Sequence, residues 1–110
     1  MIVEHIKSTT VITQEKATLS QFVARINEIY DELKNNNIVI NLFSLASLKA
    51  ADLNEFLLLS EKHKAVHHSF VLVTNKVNFD DISEALTIAP SLTEAHDLIE
   101  MEEIERDLGF

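Results

Sequence analysis

The chain has 110 residues, 46% of them apolar, and carries 18 acidic against 9 basic side chains for a net charge of −9. That length suits one cored domain and crowds two. The absence of cysteine excludes disulfides, thiolate metal sites and cysteine nucleophiles.

A reducing, cytoplasmic setting is the resulting expectation. The opening MIVEHIKSTT has an early Glu4 and no basic start, so it does not read as a signal peptide. No stretch approaches the roughly 18 consecutive apolar residues that span a bilayer, so no direct membrane insertion is expected. Residues 94–107 concentrate Glu94, Asp97, Glu100, Glu102, Glu103, Glu105 and Asp107 against Arg106 alone. No basic stripe balances them elsewhere, which argues against nucleic acid and anionic lipid surfaces as partners.

In chain order, IVEHIK (2–7) and TVITQ (10–14) are short β-prone runs that predict a hairpin. Thr18 and Gln21 have the spacing of a capping box. The helix that follows places Phe22, Ile26, Ile29 and Leu33 on one stripe, and Asn35-Asn36-Asn37 ends it. NIVINLF (37–43) is nearly continuous in apolar character, the pattern of a central parallel strand buried on both faces. A second main helix is predicted over 48–64, with Leu48, Ala51, Leu53, Phe56, Leu57, Leu59 and Ser60 inward. SFVLVT (69–74) is another buried strand. Asp81 and Glu84 can cap a short helical turn, and LTIA (86–89) suits a sheet edge. Pro90 and Ser91 open a last helix with Ser91 and Glu94 as a second capping box, and Gly109, the only glycine, can end it. Its apolar residues are Leu92, Ala95, Leu98, Ile99, Met101, Ile104 and Leu108.

The order β-β-α-β-α-β-(short α)-β-α predicts a single α/β domain over 1–110. Its sheet is mixed but mostly parallel, opened by a hairpin and covered by three main helices plus a short one. An acidic helical extension is expected at 101–110.

This order, with NIVINLFSLASLKAADLNEFLLLSEKHKAVHHSFVLV at its centre, resembles the STAS domain family. The family includes bacterial anti-sigma-factor antagonists, cytosolic domains of sulfate transporters and small free-standing proteins bound to ABC-type lipid transport machinery. Its signature is a strand ending in Asp-Leu-Ser, then Asp-Ser-Ser/Thr-Gly-Leu opening a helix, where the serine after the second Asp accepts phosphate in regulated members. In this chain Ser44 and Leu53 agree with that pattern. Asn41 or Leu42 replaces the first Asp, Lys49 the second, and Asp52 the glycine. Ala50 stands at the phosphoacceptor position and Ala51 beside it. The family's Gly/Asp signature before the first helix is also missing from Gln14-Glu15-Lys16-Ala17.

An alanine methyl accepts no phosphate, so the usual phosphoswitch is absent. The resemblance then implies a constitutive protein-docking module, with interaction candidates Leu45, Ser47, Leu48, Lys49, Ala50, Ala51 and Asp52 around the helix start. Leu45, Ala46, Leu48, Ala50 and Ala51 make a low-charge patch there, and its small side chains permit close backbone approach. Ser47 also reads as the N-cap, Asp52 as a capping-region acid, and Leu45 with Leu48 as core. Glu102, Glu103 and Arg106 are further candidates on the acidic helix, Glu102 and Arg106 having i,i+4 spacing. Ile104 and Leu108 must pack on the domain or on a partner.

His63, His67 and His68 have partial metal-ligand spacing but read as a solvated helix end. GxSxG, a Gly-rich phosphate loop and HExxH are absent. No enzyme, metal or cofactor is therefore expected. The alternative is a nucleotide- or small-ligand-binding regulator, and self-association stays open.

Overall fold

The computed structural model describes residues 1–45 and 47–109. Five strands form one sheet in sequence order: β1 (Ile2–Ile6), β2 (Thr9–Thr13), β3 (Asn37–Asn41), β4 (Phe70–Val73) and β5 (Thr87–Ala89). β1 pairs antiparallel with β2, and every later pairing is parallel. The hairpin turns tightly because Lys7 takes a left-handed conformation at φ 55°. Mixed, mostly parallel topology is thus observed as predicted.

Three helices cover the sheet: α1 (Leu19–Leu33), α2 (Leu57–Ala65) and α3 (Leu92–Asp107). α1 starts at the predicted box, with Thr18 Oγ1 accepting from Gln21 N at 3.2 Å and Gln21 Oε1 accepting from Thr18 N at 3.1 Å. α3 starts at Ser91, whose Oγ accepts from Glu94 N at 3.2 Å. Gly109, at φ 83°, follows its last turn.

Strand alternation sorts the core into two layers. Ile12, Ile38, Ile40, Phe70 and Leu72 meet Phe22, Ile26, Tyr30 and Leu33 of α1, together with Leu53, Phe56 and Leu59. The opposite layer is built from Val11, Val39, Val71, Val73 and Ala89 against Ala95 and Ile99 of α3. Short side chains under α3 and long ones under the other helices match the number of elements on each side.

Two predicted elements need correction. The segment expected as one helix over 48–64 begins as a 3₁₀ helix, Ala50–Phe56, and becomes α-helical only at Leu57. The three-residue pitch stacks Ala50, Leu53 and Phe56 on one line toward the core, where Leu53 and Phe56 are fully buried. Ala51, expected inward, is exposed as a result. The short turn near residue 80 is a 3₁₀ turn, Phe79–Asp81, capped by Asn78 rather than by Asp81 or Glu84; Asn78 Oδ1 accepts from Asp80 N at 3.0 Å.

β1 is the longer free edge of the sheet and leaves Ile2 and Ile6 exposed, while β5 closes the other edge with three residues.

Candidate functional site

The helix entrance lies beyond the carboxyl ends of β3 and β4, where open α/β sheets commonly place recognition loops. Asn41 ends β3 and turns the chain, its Oδ1 accepting from Phe43 N at 3.1 Å. Lys76, from the loop after β4, donates its Nζ to Phe43 O at 2.9 Å and also to Leu45 O. One lysine thereby fixes the loop that leads to the 3₁₀ helix.

Asp52 Oδ2 accepts from Lys49 N at 2.8 Å, closing the helix start from inside. The N-cap is thus Lys49 rather than the expected Ser47, which is exposed, and Asp52 three residues on bonds back to the N-cap backbone. Leu48 turns inward at 9% exposure, and half-buried Leu45 packs against the same core. Ala50 is half-buried, whereas Lys49 and Ala51 are exposed. Of the predicted patch, Ser47, Lys49 and Ala51 form the outer surface, Ala50 and Asp52 its floor, and Leu48 belongs to the interior. Ala46, which the sequence reading placed in this patch, lies outside the described residues.

The other three candidates sit at the opposite end of the sheet. α3 contains 16 residues, about 24 Å of helix, and returns from β5 to the amino ends of β3 and β4. There Arg106 does not pair with Glu102. It donates Nη1 to Ser69 Oγ at 3.1 Å and Nη2 to Asn37 Oδ1 at 3.3 Å. Asn37 Oδ1 also accepts from Ser69 N at 2.9 Å. Glu102 and Glu103 are half-buried, and Ser8 donates to Glu103 Oε2 at 3.4 Å. α3 runs unbroken through 101 to Asp107, so the acidic residues continue that helix.

The structure also corrects the histidine reading. His63 is fully buried at 0% exposure rather than solvated. Its Nε2 lies 2.7 Å from Asn36 O, a carbonyl that can only accept, so Nε2 carries the proton and donates. Nδ1 of the neutral ring is then free to accept from the Tyr30 hydroxyl at 2.8 Å. Burial drives the imidazole down from 6.5 to about 4; the Asn36 bond opposes this and the nearby His68 adds to it. Burial likewise raises the Tyr30 hydroxyl above its usual 10, with Asp31 contributing, which keeps it a donor. Both ring nitrogens of His63 are thus engaged in the core, and no cluster of three metal-ligating side chains occurs among the described residues. Lys62 Nζ sits 4.3 Å from the Tyr30 ring centroid, a cation–π cover over the pair.

Sequence reasoning missed this polar network. The separate Arg106–Ser69–Asn37 network did have a signal, the buried Asn37 that opens a strand with an Ile-Val-Ile centre, since asparagine is depleted in strands.

No family model matches the chain, and no curated protein matches it. Among solved structures it is similar to the NMR structure of the protein TM1081, with a TM-score of 0.65 at 14% identity, covering 89% of this chain and 86% of that one. At that identity the likeness is one of fold: an opening hairpin on a parallel sheet flanked by helices. No helix among the described residues is long and apolar enough to cross a membrane.

Proposed function

We propose that this chain is a non-catalytic docking module of the STAS family, cytoplasmic, and engaged by a protein partner at the helix entrance without phosphorylation at residue 50. The observation that carries the reading is the outer surface of Ser47, Lys49 and Ala51 over a floor of Ala50 and Asp52, on a loop pinned by Lys76. Such a surface is preordered and of low relief, so a partner can approach its backbone at small entropic cost. Asp52 places a carboxylate where the family pattern has glycine, and the methyl of Ala50 leaves no acceptor for a kinase. The resulting contact is permanently available rather than switched.

Ala51 is the cleaner position to test, because Ala50 shares a line with buried Leu53 and Phe56. Immobilised wild-type protein should retain a stoichiometric protein from native lysate, and Ala51→Glu should lose it with an unchanged melting temperature. Equal capture by both proteins removes the helix entrance from the interface. The nucleotide- or small-ligand-regulator reading instead predicts a melting temperature raised by nucleotide, with no protein retained. That outcome would replace the docking reading.

A further inference from the structure

α3 carries apolar side chains on two sides, and only one side is used by the fold. Ala95 and Ile99 face the sheet and are buried. Met101, Ile104 and Leu108 are exposed at 58%, 59% and 66%. With half-buried Leu98 they occupy an outward arc of about 120° at helical periodicity.

The arc opens into a groove of about 480 Å³ formed by Phe79, Ile88, Pro90, Leu98 and Met101. Its charged lining groups are Glu94 and Asp97, with no lysine, arginine or histidine among them. Asp80 and Asp81 follow Phe79 in the chain, and Asp107 neighbours Leu108 at the far end of α3, while Glu105 lines a separate pocket with Lys64, His67, His68 and Arg106. The surface is therefore an apolar groove with an acidic margin.

That margin selects among occupants. A second copy would bring the same carboxylates face to face, and an anionic lipid surface would add negative charge to negative charge. A positively charged apolar segment satisfies both features. Acids in the last turns of α3 also face the negative end of the helix, so a basic partner would relieve an existing repulsion. We infer that the outer face of α3, with the Phe79 groove, docks a basic amphipathic helix of another protein. Apolar anchors of that helix at i, i+3/i+4 and i+7 would enter the groove, and its lysines or arginines would meet the acidic margin. This inference builds on the docking-module reading but not on the helix entrance.

The test is a titration of ¹⁵N-labelled protein followed by chemical-shift changes. The probe is a synthetic peptide of about 18 residues with leucines at i, i+3, i+4 and i+7 and lysines elsewhere. A second peptide carries glutamate for each lysine, and a third keeps the composition but scrambles the leucines. The lysine amphipath should saturate with shifts centred on Phe79, Ile88, Leu98, Met101 and Ile104. Met101→Lys should weaken it at least about tenfold. The double change Glu94→Lys with Asp97→Lys should reverse the preference toward the glutamate peptide. Ala51→Glu should leave peptide affinity within about twofold, which separates this inference from the helix-entrance reading. Equal binding of the scrambled peptide, shifts spread over the acidic surface, or indifference to Met101→Lys would overturn it. So would a dimer in sedimentation that Met101→Lys dissociates, since the face would then belong to a second copy.

Discussion

α1 and α3 are nearly equal in length, 15 and 16 residues, yet they distribute their apolar side chains differently. In α1 the buried residues Phe22, Ile26, Tyr30 and Leu33 form one stripe, with charged side chains such as Arg25, Glu28 and Glu32 exposed. In α3 the inward positions are Ala95 and Ile99, and larger residues project outward. A helix with one apolar stripe is consumed by its own fold. A helix with two has hydrophobic surface to offer elsewhere, and the contrast predicts that the two respond differently to truncation.

The largest effect should come from Phe22→Ala. Phe22 is fully buried and meets Phe56 edge to face at a centroid distance of 6.4 Å. The change should cost about 3–5 kcal/mol in urea unfolding, through lost transfer energy and a residual cavity. A loss below about 1 kcal/mol would mean that the layer under α1 is loosely packed.

The second effect is a pH dependence centred beneath α1. His63 has its folded value near 4 and its reference value at 6.5, so the unfolded chain binds the extra proton between them. Stability from this group is complete above pH 6.5 and declines as pH falls toward 4, by an amount on the order of 2–3 kcal/mol. His63→Gln should flatten that part of the profile in denaturant titrations at stepped pH. An unchanged slope would assign the acid sensitivity to other groups.

Thr18→Ala removes the hydroxyl half of the α1 capping box and should cost about 1 kcal/mol by thermal melting. Smallest of all, Met101→Ala on the outer side of α3 should shift stability by less than about 0.5 kcal/mol. A larger loss would show that this side chain supports the domain, and the contrast between the two helices would fail.

Most of the architecture was legible in the sequence because it rests on periodicity. Runs of Ile and Val marked the central strands, and hydroxyl caps marked the starts of α1 and α3. The helix entrance was misread in detail. Leu48, Ala51 and Leu53 fit an α-helical face, whereas the 3₁₀ pitch aligns Ala50 with Leu53 and Phe56 and turns Ala51 outward. Pitch over a few residues depends on what the core beneath accepts, which a linear pattern does not contain. Arg106 likewise had Glu102 at ideal local spacing but reaches Ser69 and Asn37 at the sheet's amino end instead. His63 was assigned to solvent from its charged neighbours Lys62 and Lys64, although both lysines are exposed and His63 is fully buried. Contacts that depend on chain closure, such as Tyr30 with His63, leave no local trace.

The free β1 edge has a practical consequence for handling the protein. At neutral pH a charge of −9 keeps copies apart and discourages strand addition beside Ile2 and Ile6. Near the isoelectric point of about 4.8 that repulsion vanishes, within the same window in which protonation of His63 loosens the interior. Acidified solutions should therefore turn cloudy through edge-to-edge association, and purification or storage buffers belong well above pH 6.5.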